Sequence, residues 1–96
     1  MSPDFTKPTP LSRAFVMSVP ESSGVYSLLD DRGAVLFIGV AASGRLRQRI
    51  HSHLDRRDIP EAAAFCFKPV AAESDAEREQ EDLILQYMPR YNSQAR

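Results

Sequence analysis

The chain is poor in cysteine, has no tryptophan and contains no long apolar run. Its single cysteine, Cys66, excludes an internal disulfide and a zinc site built from several cysteines. No apolar stretch reaches the roughly 18 residues that cross a bilayer, and the N-terminal residues lack the basic and then apolar pattern of a targeting signal. We therefore expect a cytoplasmic protein that makes no membrane contact.

The length and composition predict one small soluble domain. The chain has 96 residues, of which 43% are hydrophobic and 26% charged, as in ordinary globular proteins. Residues 1–10 contain Pro3, Pro8 and Pro10, which restrict helix formation and strand pairing. We predict a flexible N-terminal leader over 1–10 and a single domain over 11–96.

The formal net charge of −1 hides two segments of opposite sign. Residues 44–57 contain five arginines and one aspartate, whereas residues 72–82 contain six acidic residues and one arginine. Charge alone favours two solvated helix faces. The alternative is a cationic face that contacts nucleic acid, with the acidic segment turned elsewhere.

Two segments rich in β-branched and apolar residues predict a hairpin over 24–30 and 34–40. Gly33 lies between them and can adopt the positive φ of a tight turn. A third strand is predicted over 63–70, with Phe65 and Phe67 on one face and Cys66 on the other. Leu11, Ala14 and Phe15 follow helical spacing and predict a short helix that ends before Pro20.

A longer helix is predicted to begin at Ser43 and Gly44, because Leu46, Ile50 and Leu54 recur at helical spacing. Arg45, Arg49 and His53 form a second stripe beside that apolar face.

The last helix is predicted from a capping box at Ser74–Glu77 to Tyr87 or Met88, where Pro89 stops it. Its inward stripe contains Ala76, Leu83 and Tyr87, and Gln80 lies in the middle of that stripe. A polar amide on an inward face needs hydrogen-bond partners or a site to serve.

Four segments in this order resemble the GIY-YIG nuclease family, above all its excision-repair members. They are PESSGVY at 20–26, FIG at 37–39, the arginine helix from Leu46 to His53, and the exit from Leu83 to Asn92. Ten residues separate Tyr26 from Phe37, which is the family's spacing. The likeness covers residues 19–93 and rests on several signals rather than on one short motif.

The resemblance implies an α/β (α+β) fold in which helices flank a three-stranded antiparallel sheet. It also implies a shallow cleft for a phosphodiester. In the family, two tyrosines and an arginine set up the attacking water and the phosphate, a glutamate binds one divalent metal, and an asparagine braces the site.

Carried over position by position, the implied site consists of Tyr26, Phe37, Arg49, Gln80 and Asn92. Phe37 replaces a tyrosine and Gln80 replaces the glutamate that would hold Mg²⁺ or Mn²⁺, so the use of either metal is in doubt. A shift of the helix by one residue would instead make Glu79 or Glu81 the metal ligand. Either shift would turn Leu83 and Tyr87 away from the core.

Three functions follow as hypotheses. The leading one is a GIY-YIG-type domain that contacts nucleic-acid backbone, DNA before RNA, through Arg45, Arg47, Arg49 and His53, with hydrolysis weak or lost. The second is an active divalent-metal-dependent DNA endonuclease. The third is a protein-interaction module on a nuclease fold, favoured by the near-zero net charge and the acid-rich last helix.

Overall fold

The computed structural model describes Met1 and residues 3–93, so the last three residues of the predicted domain lie outside the described residues. The strands are β1 (Thr9–Pro10), β2 (Gly24–Leu29), β3 (Val35–Ala41) and β4 (Ala64–Pro69). The helices are α1 (Arg13–Val16), α2 (Leu46–Arg56), α3 (Glu73–Tyr87) and α4 (Arg90–Ser93). Among the described residues, no helix has the length and apolar character needed to cross a membrane.

The antiparallel sheet has the order β1-β4-β2-β3, which confirms the α+β class but corrects the predicted strand count from three to four. The additional strand comes from the segment predicted as a leader. Thr9 pairs with Phe65 and the Thr6 amide donates to the Phe67 carbonyl, while Phe5 is buried in the core. The prolines therefore shorten this strand to two residues without preventing it from packing on the domain.

The predicted hairpin is confirmed as β2 and β3. Its turn is closed by the Asp30 carboxylate, which accepts the backbone N–H groups of Arg32 and Ala34 at 2.9 Å each. Gly33 adopts a φ of 86°, which glycine reaches without strain. The turn thus joins two strands that lie side by side, with β3 at the edge of the sheet.

Each face of the sheet is covered by its own helices. Tyr26, Leu28 and Phe65 pack with Leu46 and Ile50 of α2 on one face. The opposite face packs against α3 through a second cluster, which consists of Phe5, Val25, Leu29, Ile38, Cys66, Ala76 and Leu83. Alternation along β2 and β4 produces this division, because successive side chains of a strand point to opposite faces. Phe65 and Cys66 lie on opposite faces as predicted.

Both long helices differ from their predicted starts. α2 begins at Leu46 because Ser43 and Gly44 have positive φ values of 55° and 76°, which are outside the helical region. α3 begins at Glu73 with no side-chain cap, so the predicted capping box at Ser74 is wrong. In α1 the buried residue is Val16, whereas Phe15, one of the residues whose spacing predicted the helix, is 48% exposed.

Candidate functional site

Tyr26 lies on the inner strand β2, and its ring lies over Gly39 of β3, which leaves room for it. The two residues are paired across β2 and β3. A Cβ atom added to Gly39 would lie 2.4 Å from Tyr26 Cζ, far inside van der Waals contact. Gly39 of the FIG segment therefore determines where the ring of Tyr26, from the PESSGVY segment, can lie.

The Tyr26 hydroxyl is hydrogen-bonded to His53 of α2. The phenolic oxygen lies 2.8 Å from His53 Nε2, and His53 Nδ1 lies 3.1 Å from Asp58 Oδ1. Burial raises the pKa of the Tyr26 phenol, opposed by the nearby Arg49 charge and reinforced by Asp58. The phenol is thus protonated near neutral pH, and the direction of its hydrogen bond with His53 is set by which ring nitrogen of His53 carries the proton.

Phe37 completes an aromatic cluster with these two residues. Its ring centroid lies 5.1 Å from that of His53 and 6.1 Å from that of Tyr26, with tilted planes. The tilted arrangement is favourable for ring pairs. Phe37 has no hydroxyl and contributes only packing to the cluster. The hydroxyl group that contacts His53 in this cluster is that of Tyr26.

An open groove of about 370 Å³ runs along α2 beside this cluster. It is lined by Arg45, Gln48, Arg49, Ser52, His53, Arg56 and Asp58. Three arginines against one carboxylate make the groove cationic. Arg56 was not predicted for this site, although it lies at i+7 from Arg49 and helical periodicity would have indicated it.

Arg47 lies outside this groove, although the sequence predicted it to contact nucleic acid with its neighbours. Its Nε donates to the Val19 carbonyl at 2.7 Å, and Nη1 lies 3.3 Å from a Glu21 carboxylate oxygen. These contacts join α2 to the segment before β2. Arg47 is therefore engaged in holding the fold rather than in lining the groove.

Gln80 and Asn92 meet at one residue on the outer edge of β3. Gln80 Nε2 donates to the Ile38 carbonyl at 3.0 Å, and Asn92 Nδ2 donates to the same oxygen at 2.9 Å. Asn92 Oδ1 also accepts the Ile38 N–H at 2.8 Å. The two amides thus satisfy backbone groups that an edge strand would otherwise expose, and Ile38 directly follows Phe37.

The two glutamates that flank Gln80 lie elsewhere. Glu79 forms an ion pair with Lys68 of β4 at 2.7 Å, and Glu81 is exposed. Neither glutamate joins Gln80 at Ile38. The residue that α3 brings to the β3 edge is accordingly the neutral amide.

The donor set at this edge does not suit a hard divalent cation. Mg²⁺ prefers anionic oxygen ligands, whereas Gln80 is neutral and its amide nitrogen is committed to a carbonyl. The described residues contain no group of three or more His, Cys, Asp and Glu side chains that could hold a metal ion.

Two structural features near the site were not predicted. α4 follows Pro89 and carries Asn92, and it is held by Glu61, which accepts hydrogen bonds from Arg90 and the Tyr91 hydroxyl. Asp58 reaches His53 because Arg57 ends α2 in the left-handed region, with φ of 51°. The sequence carries no signal for this turn, since the left-handed residue is not glycine.

Cys66 is buried in the cluster that packs against α3. Burial raises the pKa of its thiol to about 11. A thiol of that kind is a poor nucleophile near neutral pH.

Comparison with known proteins connects this geometry to one group of nucleases. A family model described as a domain of unknown function, DUF7508, matches residues 6–88. UvrABC system protein C of Bacteroides thetaiotaomicron is 30% identical over 88 residues, and that of Shewanella loihica is 34% identical over 87. These matches cover 83% and 81% of this chain but only 14% of either relative.

A solved structure extends the likeness to three dimensions. The crystal structure of the GIY-YIG N-terminal endonuclease domain of UvrC from Thermotoga maritima, bound to magnesium as its catalytic divalent cation, is similar with a TM-score of 0.70. It is 30% identical, and the match covers 82% of this chain and 92% of that domain. Solved variants of that domain with one tyrosine changed to phenylalanine also hold the divalent cation.

Proposed function

The chain belongs to the GIY-YIG nuclease family, and we propose that it binds nucleic-acid backbone, DNA in the first place, with phosphodiester hydrolysis weak or lost. The observation that carries the proposal is the hydrogen bond from Gln80 to the Ile38 carbonyl. An amide that donates to the backbone fills the position where the family has a metal-binding carboxylate. The cytoplasmic location expected from the sequence is part of this proposal.

The cationic groove supports the binding half of the proposal. Arg49 and Arg56 of α2, and Arg45 directly before it, line the groove, and both Arg45 and Arg49 are exposed. Arginine recognises phosphate oxygens in a planar, bidentate geometry. Three such side chains in a row suit successive phosphates of a strand better than one small ligand.

The chemistry of the two replaced residues supports the loss of hydrolysis. Loss of one charged ligand or one transition-state donor costs about 3 kcal/mol or more, which is on the order of a hundredfold in rate or above. The Thermotoga domain keeps its cation in tyrosine-to-phenylalanine variants. We therefore attribute the predicted loss of the cation to Gln80, and we expect the missing hydroxyl of Phe37 to affect the chemical step rather than metal binding.

Binding to a fluorescently labelled duplex, measured by anisotropy over a salt series, tests the proposal. We expect the logarithm of the association constant to fall linearly with the logarithm of salt concentration. Arg49→Ala should weaken binding and reduce the slope by about 1. Arg78→Ala, an exposed arginine of α3 outside the groove, is the matched control and should change neither quantity. An association constant that does not change with salt concentration, or no binding at all, would contradict the proposal.

An active divalent-metal endonuclease is the second candidate, favoured by the retained Tyr26, Arg49 and Asn92 and by the magnesium-bound neighbour. Incubation of nicked, branched and plain duplexes with and without Mg²⁺ or Mn²⁺ decides between the two. Metal-dependent cleavage that Tyr26→Phe and Arg49→Ala abolish would establish this candidate. An inactive parent whose Phe37→Tyr, Gln80→Glu double variant cleaves would support the leading proposal.

A protein-interaction role is the third candidate, favoured by the outer face of α3. This face is acidic, and its C-terminal end leaves Leu85 and Met88 78% and 80% exposed. A defined protein partner that stays bound after nuclease treatment, and is released by Leu85→Ser, would favour this role.

A further inference from the structure

The negative charge of Asp58 is unexpected in a groove that is proposed to bind phosphates. It lines the groove together with Arg45, Arg49 and Arg56, and its side chain is 41% exposed. A carboxylate there repels an incoming phosphate and weakens the field of the arginines. Its contact in the structure is with the ring of His53.

We propose that Asp58 is a positioning residue that holds neutral His53 in the Nδ1–H tautomer, so that Nε2 accepts the Tyr26 hydroxyl. The proposal rests on the proposed function in one respect, namely that Tyr26 and His53 face the bound phosphodiester. It assigns to Asp58 a contact with His53 and none with the ligand.

Asp58, His53 and Tyr26 form a row of two hydrogen bonds. The direction of each bond follows from the groups at the two ends of this row, the Asp58 carboxylate and the Tyr26 phenol. An ionised carboxylate only accepts, so the 3.1 Å contact with Asp58 Oδ1 requires a proton on His53 Nδ1. A neutral imidazole carries one proton, which leaves Nε2 as an acceptor. The buried phenol of Tyr26, 2.8 Å away, supplies the proton for that contact.

This arrangement decides what the Tyr26 oxygen presents to a ligand. With its proton directed at His53, the oxygen offers only lone pairs and can accept a hydrogen bond from water or another donor. Without Asp58, the ring can move its proton to Nε2 and donate to the phenolic oxygen, which frees the phenol O–H for another acceptor. Asp58 thereby keeps the Tyr26 oxygen a hydrogen-bond acceptor, although its own negative charge is unfavourable for phosphate binding in the groove.

His51 provides an internal control on the same helix. Its Nδ1 lies 3.1 Å from Asp55 Oδ2, the same distance as between His53 and Asp58, but His51 contacts no tyrosine in the described structure. The chain has only these two histidines, so their ring signals are assigned by a single His51→Gln variant.

Long-range ¹H–¹⁵N spectra of the imidazole rings, recorded above neutral pH on the ¹⁵N-labelled full chain, test the proposal. In the parent, His53 should show a protonated Nδ1 and an unprotonated Nε2. Asp58→Ala should move the proton to Nε2. Asp55→Ala should leave His53 unchanged. Backbone amide spectra establish that each variant is folded.

A parent His53 protonated on Nε2, or an Asp58→Ala variant whose tautomer stays on Nδ1, would overturn the proposal. DNA titration of the same samples distinguishes a failure of this proposal from a failure of the proposed nucleic-acid binding. If no sample binds DNA, the proposed function is wrong, and the ring spectra still decide the role of Asp58.

Discussion

Gln80→Glu replaces the amide nitrogen that donates to the Ile38 carbonyl with a carboxylate oxygen. In the parent that nitrogen lies 3.0 Å from the carbonyl oxygen. Near neutral pH the new group has no proton to donate, so two electron-rich oxygens face each other at the β3 edge. Asn92 still donates to the carbonyl, so Ile38 is not left without a partner.

The expected loss is about 2 kcal/mol in the free energy of unfolding. About 1 kcal/mol comes from the lost hydrogen bond, and a similar amount from a half-buried carboxylate without a positive partner. For a domain of this size the corresponding fall in Tm is about 8–16 °C.

Chemical and thermal denaturation of Gln80→Glu and of Gln86→Glu measure this loss. Gln86 is exposed on the same helix, so its variant makes the same chemical change without the contact and should stay within about 0.5 kcal/mol of the parent. Acid should reverse the loss. The unpaired carboxyl has a raised pKa in the folded state, so the folded protein binds the proton more tightly and gains stability as pH falls.

Mg²⁺ should also stabilise Gln80→Glu and leave the parent unchanged, because a cation that binds only the folded variant shifts its unfolding equilibrium. A Gln80→Glu protein as stable as the parent near neutral pH, with no response to acid or Mg²⁺, would refute the assignment of Gln80 to the β3 edge.

Three further outcomes test the surrounding geometry. Gly39→Ala should cost about 1–3 kcal/mol and break the contact between Tyr26 and His53, which the tyrosine hydroxyl and imidazole NMR signals report. Asn92→Ala should destabilise the domain by about 1–3 kcal/mol in urea titrations, because it removes both hydrogen bonds between Asn92 and Ile38. The raised pKa of the Tyr26 phenol means that stability falls as pH rises above about 10, and Tyr26→Phe should lose this alkaline dependence in unfolding curves collected from pH 9 upward.

The elements that follow from local pattern were predictable. β2 and β3 are continuous apolar runs joined by a turn with Gly33, and α2 and α3 carry helical stripes of buried residues. The family resemblance placed the same elements in order. These features depend on neighbours in the chain, which a single sequence records directly.

The elements that depend on distant contacts were missed. β1 is two residues long and exists because Phe5 is buried and β4 offers an edge. α4 has four residues and is held at the β3 edge by Asn92. Segments this short are decided by tertiary packing, since their own propensity is too weak.

The candidate site divides in the same way. Its residue types and the inward phase of Gln80 could be read from the sequence, because helical geometry fixes which residues share a face. The partner of Gln80 could not, and neither could the turn at Arg57 that returns Asp58 to His53. Both depend on the backbone path between elements.

The measurement that most directly tests the central claim is duplex DNA binding by the parent protein in EDTA compared with Mg²⁺ at matched ionic strength. We expect salt-sensitive binding of the same affinity in both buffers, with the DNA intact. Binding that requires the metal, or cleavage that begins when the metal is added, would contradict the claim that Gln80 has replaced the cation site.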